Sequence, residues 1–453
     1  MIPLNIKCII AATLIAVLTL PLAACSDSSE NATTAPVSSQ NDGVIETSET
    51  TSRLERNNES FAESPTFQSI TTIGSLQIDG KTPFSISPNG KYALTGCWEL
   101  YENVSGDFSE WRKIELSEFE LPDQPSESFF FSSTPFQRDE LAWSHDGNKF
   151  AIGMYVLGAT GGAFDTADIY VVDISNQTIS NLTDVPGEEN IGRISDDTAE
   201  LYADYAPAFS ADGKIIYFAR FGRGFGRSVS GIYAVPSVGG ETEVVIQKSD
   251  AIQRNDRDDI LPRLFQRDDI LTYVCIPVYR ERIRGIYQYT NNTETLLYSF
   301  TEEVGTIEIL DVSTDGRRII FAERLKMTEQ GDMPDDEYLT QRRNTVYLLD
   351  LEESEQPTVL APISDGYILN ACFSPSGNEI MQVEHERGLR NHIFIKNDNS
   401  VLASDVSDTN QNYAQRGVQW FVARTTPLYW LENGYVFVDL FGVETMLIKI
   451  ETN

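Results

Sequence analysis

The sequence predicts an all-β fold, a β-propeller of four-stranded antiparallel blades, on three observations. A turn phrase of the form Ser-x-(Asp/Asn/Ser)-Gly recurs along the chain between short apolar runs. Its spacing of 47 to 66 residues suits four short strands and their connections. The body that carries it, Phe67–Asn453, is too long for one ordinary core, so it is either several domains or a repeat architecture.

Residues 1–24 read as an export signal. Lys7 supplies a positive start, an apolar run follows from Cys8 to Leu20, and small alanines precede Cys25. The run is too short and too early for a membrane-spanning helix. Leu22-Ala23-Ala24-Cys25 resembles the lipobox of bacterial lipoproteins. That resemblance implies cleavage before Cys25, a lipid on its thiol, and tethering outside the cytoplasm. In enteric bacteria an Asp directly after the lipidated Cys favours the inner membrane. Here Ser26 holds that position, so the periplasmic side of the outer membrane is the expectation.

Residues 25–66 read as a disordered linker. They are dense in Ser, Thr, Asn, Glu and Ala, with too few large apolar side chains to offset the entropy of ordering. Forty such residues have a reach of roughly 35 Å.

In the body, clear copies of the phrase are Ser87-Pro88-Asn89-Gly90, Ser144-His145-Asp146-Gly147, Ser210-Ala211-Asp212-Gly213, Ser313-Thr314-Asp315-Gly316 and Ser374-Pro375-Ser376-Gly377. Weaker copies sit at Gln266-Arg267-Asp268-Asp269 and Leu431-Glu432-Asn433-Gly434. Asp or Asn can bond its own backbone, and Gly accepts the positive φ of a tight hairpin. An apolar strand follows each turn, then a strand containing Ile-Tyr or a similar pair, as in Ile169-Tyr170, Ile232-Tyr233 and Ile286-Tyr287. A fourth strand closes the unit, as in Thr242–Gln247. A two-sheet sandwich would not explain the repeated turn.

The last unit has only three strands before the chain ends, while Gln68–Ile78 is a spare apolar strand before the first turn. Pairing the two would close a ring and protect open edges. Seven blades are therefore favoured, with six as the other count if the weak fourth copy is an insertion.

The phrase resembles the Phe-Ser-Pro-Asp-Gly repeat of TolB-type propellers, also found in the propeller domains of prolyl oligopeptidase relatives. The resemblance spans the body after the linker and implies fold more than function. For a TolB-type protein it implies a partner that is another envelope component. A prolyl oligopeptidase relative would need a Gly-x-Ser-x-Gly elbow. The sequence has none, and Gly226-Arg227-Ser228-Val229-Ser230-Gly231 reads as turn chemistry.

The chain has 34 Lys+Arg against 68 Asp+Glu, a net charge of −34, which argues against nucleic acid and against direct adhesion to anionic lipid surfaces. A membrane is expected only through the Cys25 lipid. Cys97, Cys275 and Cys372 are too few and scattered for a disulfide framework and are expected to be small buried residues. The three histidines, His145, His385 and His392, make no metal site, and no cofactor is expected. The acidic loop Gly331–Glu337 lacks calcium-loop spacing.

In a four-stranded meander the first and third connections lie at one end. The second connection and the links between units lie at the other. The Asp-Gly turns occupy the first end. The long segments Glu99–Glu110, Leu157–Ala167, Phe221–Ser230, Lys326–Asn344 and Asp184–Tyr205 are assigned to the second, a usual place for binding. The same end gathers Arg220, Arg223, Arg227, Arg280, Arg282, Arg284, Arg342 and Arg343, the candidate partner-binding residues. Arginine's planar fork suits carboxylates and phosphates. Either these form an anion-attracting mouth, or they pair internally with Glu281, Asp332, Asp335, Asp336, Glu337, Glu384 and Glu386.

The expectation is thus a lipid-anchored envelope module, not an enzyme, that docks a protein or peptide partner, possibly acidic, on its long-loop face. The alternative is a propeller hydrolase or lyase acting on a glycan or peptide through carboxylates at the mouth, such as Asp332, Asp335 and Glu337. A buried carboxylate pair lining the channel would distinguish the two.

Overall fold

The computed structural model describes residues 67–81, 83–95, 99–119, 141–156, 166–183, 201–223, 230–247, 264–267, 269–275, 283–300, 304–325, 345–354, 356–363, 367–386, 390–396, 401–408, 428–431, 433–440 and 444–452. Among them a single 3-10 turn, Leu116–Glu118, is the only helical element; the rest is strand and turn.

The first strand, β1 (Phe67–Ser75), belongs to the last unit. Unit 1 comprises β2 (Pro83–Ile86), β3 (Tyr92–Thr95), β4 (Glu99–Asn103) and β5 (Trp111–Ile114). Unit 2 comprises β6 (Leu141–Trp143), β7 (Lys149–Val156), β8 (Thr166–Asp173) and β9 (Thr178–Asn181). Unit 3 comprises β10 (Leu201–Phe209), β11 (Ile215–Arg223), β12 (Ser230–Pro236) and β13 (Glu243–Gln247). Unit 4 comprises β14 (Leu264–Arg267), β15 (Ile270–Cys275), β16 (Gly285–Thr290) and β17 (Thr293–Ser299). Unit 5 comprises β18 (Val304–Val312), β19 (Arg318–Leu325), β20 (Thr345–Asp350) and the two-residue β21 (Thr358–Val359). Unit 6 comprises β22 (Tyr367–Phe373), β23 (Ile380–Glu386), β24 (Arg390–Lys396) and β25 (Val401–Asp408). Unit 7 comprises β26 (Leu428–Trp430), β27 (Tyr435–Leu440), β28 (Glu444–Thr452) and β1.

Every unit is an antiparallel meander, so the fold is an all-β propeller. The strands form six hydrogen-bonded sheets, five of four strands and one of eight. The eight-stranded sheet is units 2 and 3 joined by one parallel bridge, Ala203 to Ala167. Counted as sheets the blades number six; counted as four-stranded meanders they number seven. The weak fourth copy of the turn phrase is a regular unit, not an insertion.

The turn phrase works as a closed ring of hydrogen bonds. In units 1, 2, 3 and 5 the serine hydroxyl donates to Asn89, Asp146, Asp212 or Asp315 at 2.6–2.8 Å. The same oxygen accepts the backbone N–H five residues on, at 2.8–2.9 Å. The turn glycine closes the ring in the left-handed region, at φ 68–73 in these four units. Unit 6 has Ser376 where the others have Asp or Asn. There Glu379 reaches back, and its Oε2 accepts from Ser374 at 2.6 Å and from Ser376 at 2.8 Å.

These turns also tie neighbours together. Asn89 donates to the Asp146 carbonyl at 2.6 Å, Gln288 to the Gly316 carbonyl at 2.6 Å and Thr314 to the Pro375 carbonyl at 3.0 Å.

The apolar core is a series of clusters between units. In β8, Ile169 and Val171 pack toward unit 3 with Phe209, Ile216 and Phe218, while Tyr170 and Val172 pack toward unit 1 with Leu94 and Leu100. A strand buried on both sides needs apolar residues at consecutive positions, which is why these strands read as continuous runs. Ring closure follows the same rule: Leu431, Phe437 and Leu447 of unit 7 pack on Ile86, Tyr101 and Phe108 of unit 1.

Two outcomes test this account. Gly90→Ala and Gly213→Ala both place Ala at φ +70, but a Cβ at Gly90 would lie 2.8 Å from Leu431 Cδ1, whereas Gly213 has nothing within 4 Å. Urea denaturation should show a loss of about 1–2 kcal/mol for Gly213→Ala from backbone strain, and a larger loss for Gly90→Ala. In unit 6, Glu379→Ala should cost about 1–3 kcal/mol. Adding Ser376→Asp should restore most of it, because the carboxylate then sits where the other turns have it.

Candidate functional site

The two ends of the propeller differ in how their polar groups are used. At the tight-turn end the repeated side chains bond to their own turn or the next one. At the opposite end the strand pairing aligns positions that differ from unit to unit. Toward the ends of the second strands, the equivalent positions are Thr95, Met154, Arg220, Cys275, Glu323 and Glu384. They face Glu99, Asp168, Gly231, Gly285, Thr345 and His392 across the ladder.

Two residues further along the third strand stands an aromatic residue in all six of these units: Tyr101, Tyr170, Tyr233, Tyr287, Tyr347 and Phe394. Four of these tyrosine hydroxyls are bonded at the long-loop end, to Glu99, Asn181, the Ile283 carbonyl and Glu323. The repeated Ile-Tyr pair therefore has two jobs. Its isoleucine packs toward the following unit, and its tyrosine packs toward the preceding one and carries a polar tip to this end.

The densest polar arrangement lies between units 2 and 3. Arg220 on β11 forks onto Asp204 on β10, Nε to Oδ1 at 2.7 Å and Nη2 to Oδ2 at 2.8 Å. The Asp204 side chain is 0% exposed and that of Arg220 15%. The guanidinium lies over the Tyr233 ring at 4.8 Å and the Phe218 ring at 5.4 Å. A second buried carboxylate, Asp168 on β8, accepts from Asn181 at 2.8 Å. The same Asn181 amide also donates to the Tyr170 hydroxyl at 3.2 Å.

The backbone at this junction is irregular. The parallel bridge Ala203–Ala167 lies next to both carboxylates. The ladder of β10 shifts register between Tyr205 and Ala208, and Ala206 adopts φ 51. A bulge with a non-glycine residue in the left-handed region stores strain, which persists only where the surroundings fix it. Burial pushes the Asp204 carboxyl up to about 6, against the lowering effect of Arg220 and Thr183, and the charge of Asp168 adds to the rise.

Two further polar groups occupy this end. Glu323 accepts from Tyr298 of unit 4 at 2.9 Å and from Tyr347 at 3.1 Å, and burial together with Glu323 pushes the Tyr298 hydroxyl up to about 12. Glu384, fully buried, accepts the Ile363 N–H at 2.7 Å and the Gln382 side-chain amide.

Of the candidate arginines, Arg220 and Arg284 have described side chains, and Arg220 is committed to Asp204. Arg223 ends β11 with its side chain outside the described residues. Arg284 precedes β16, partly exposed, and its carbonyl accepts the Phe300 N–H at 3.1 Å. Arg227, Arg280, Arg282, Arg342, Arg343 and Cys25 lie outside the described residues, as do Asp332, Asp335 and Glu337. One loop assignment is corrected. Glu99–Glu110 is not a long-loop connection, because Glu99–Asn103 is strand β4 and 104–110 joins β4 to β5 at the tight-turn end. Cys372 is buried and unpaired. Among the described residues no three His, Cys, Asp or Glu converge as metal ligands would.

Sequence reading missed Asp168, Asp204, Asn181 and Thr183. Asp168 begins an Ile-Tyr strand and Asp204 ends a link, places where a solvated carboxylate is ordinary.

No family model matches the chain, and no curated protein matches it. Solved structures with a similar fold include an oligogalacturonate lyase from Vibrio parahaemolyticus, 10% identical over 85% of this chain and 97% of that one, with a TM-score of 0.47. They include a putative TolB from Agrobacterium tumefaciens, 15% identical over 69% and 89%, with a TM-score of 0.34. A prolyl endopeptidase is 12% identical over 85% of this chain and 50% of its own, with a TM-score of 0.40. The expectation that the chain is not an enzyme does not stand. A lyase and peptidases appear beside TolB among proteins of similar fold, and a propeller by itself fixes neither binding nor catalysis.

The state of Asp204 is measurable. A carboxyl raised in the folded chain adds stability below its unfolded value near 3.8, and that contribution is lost as pH rises through about 6. Carboxylates held low, such as Asp146 and Asp173, act in the opposite sense, so the difference between proteins is what counts. The unfolding free energy of wild type minus that of Asp204→Asn should fall between about pH 4 and 6, with a slope of up to about 1.4 kcal/mol per unit, and be flat above. What remains of this chain is its class: an all-β propeller whose polar, unit-specific residues gather at the long-loop end.

Proposed function

We propose that this chain is a lipid-anchored protein of the cell envelope whose propeller docks a protein or peptide partner on its long-loop face. The observation that carries the reading is the contrast between the two ends. Repeated units have the same scaffold needs, so side chains that the scaffold requires repeat, as the turn serine and carboxylate do. Residues that differ at equivalent positions, such as Arg220, Glu323 and Glu384, are free of that requirement. They concentrate on the end where the sequence also places its long connections and arginines. The partner is an envelope component with acidic groups, which the arginine forks suit. Cys25 is the lipidated residue and the periplasmic side of the outer membrane its place.

A second reading is favoured by the two buried carboxylates Asp168 and Asp204. A pair in which one member titrates near 6 can exchange protons, which is what hydrolysis or elimination on a glycan or peptide needs.

The test uses the full chain in detergent. Labelled palmitate should enter wild type and not Cys25→Ala. Wild type should retain a partner from solubilised envelopes that a folded variant with Arg223, Arg227, Arg282 and Arg343 changed to Glu releases. Retention by both proteins would remove the arginine face from the account. Retention by neither, with glycan or peptide turnover abolished by Asp168→Asn, would establish the second reading.

A further inference from the structure

The Arg220–Asp204 pair has the geometry of an arginine clamp already holding its ligand. Both oxygens of one carboxylate sit in the fork of one guanidinium, at 2.7 and 2.8 Å. The guanidinium is laid flat on an aromatic bed, which fixes the direction of the fork. Asp204 stands directly opposite Arg220 in the β10–β11 ladder, and the strand bulges just beyond it, where Ala206 takes a left-handed conformation. Arg220 is the side of the pair that solvent reaches, while Asp204 is sealed. The pair is not a repeated scaffold element: at the position of Arg220 other units place Thr95, Met154, Cys275, Glu323 and Glu384.

We propose that Asp204 is an internal competitor, holding the Arg220 fork that a carboxylate of an acidic peptide partner takes when the pair opens. This rests on the docking reading above and adds the chemistry of the partner and a control on its binding. Opening requires Asp204 to give up its charge or leave. Proton uptake from solvent turns the carboxylate into a neutral acid, and the guanidinium keeps its charge without a full counter-charge. The described groups facing Asp204 favour that step in different senses. Arg220 from β11 and Thr183 after β9 hold the anion, while Asp168 from β8 repels it. Tyr233 from β12 meets Arg220 through its ring face. Asp168 is itself held by the Asn181 amide at 2.8 Å.

The probe is a fluorescein-labelled hexaglutamate peptide, read by anisotropy against the full chain in detergent at constant ionic strength. The net charge of −34 repels such a peptide in general, which keeps the background low. Wild type should bind at least tenfold more tightly at pH 5.5 than at 7.5. Asp204→Asn should bind at pH 7.5 as wild type does at 5.5, and Arg220→Gln should show neither gain. The proposal is overturned if Asp204→Asn, melting as wild type does, binds no more tightly at pH 7.5. It is equally overturned if Arg220→Gln keeps the gain on acidification, a measurement that decides even where Asp204→Asn fails to fold. Loss of the envelope partner from the four-arginine variant, with no gain in Asp204→Asn, would leave docking intact and remove the competitor.

Discussion

Closure of the ring is the constraint on which the rest of this molecule depends. Strand β1, at the start of the body, pairs antiparallel with β28 at its end, from Phe67–Thr452 to Ser75–Met446. No unit can bury both of its faces alone, because each described apolar cluster draws side chains from adjoining units. An open ring would leave two such faces in water and two sheet edges unpaired. The β1–β28 ladder removes both faults at once, and the cluster of Leu431, Phe437 and Phe108 fills the seam it makes.

From that constraint follows a division of labour along every strand. In units 1, 2, 3, 5 and 6 the beginning of the second strand is fixed by the turn ring, whose serine hydroxyl, oxygen acceptor and glycine satisfy each other and often the next unit. Where unit 6 lacks the carboxylate at Ser376, Glu379 supplies it, which shows that the requirement is for the group and not for the residue position. The far end of the same strand carries no such requirement. It is there that Arg220, Glu323 and Glu384 stand in register, each in a different polar setting.

The junction of units 2 and 3 departs most from the repeat. It carries the inter-unit bridge, a strained bulge, two buried carboxylates and the arginine fork within a few residues of one another. Burying two carboxylates against one guanidinium is unfavourable unless other donors share the charge. Asn181 and Thr183 do so, and Asp204 still titrates higher than an ordinary carboxyl. Such a centre is poor scaffolding and well suited to a proton-dependent change of state.

The sequence by itself determined the fold class, the strand order within a unit and the pairing of the two chain ends. The reason is that these depend on local chemistry: an Asp-Gly turn closes on itself, and consecutive apolar residues mark a strand buried on both sides. It also placed Arg220 at the long-loop end, since that follows from counting strands. It misplaced Glu99–Glu110, because acidic and glycine-containing residues read as loop although Leu100 and Tyr101 bury a strand there. The β10–β11 ladder sets Asp204 opposite Arg220, and tertiary structure alone decided that Asp168 acts on the same buried carboxylate. Asp204 and Asp168 belong to different units, and no local pattern distinguishes a carboxylate destined for a sealed junction from one destined for water. Their meeting is set by how unit 3 packs on unit 2, a property of the closed ring and not of any segment within it.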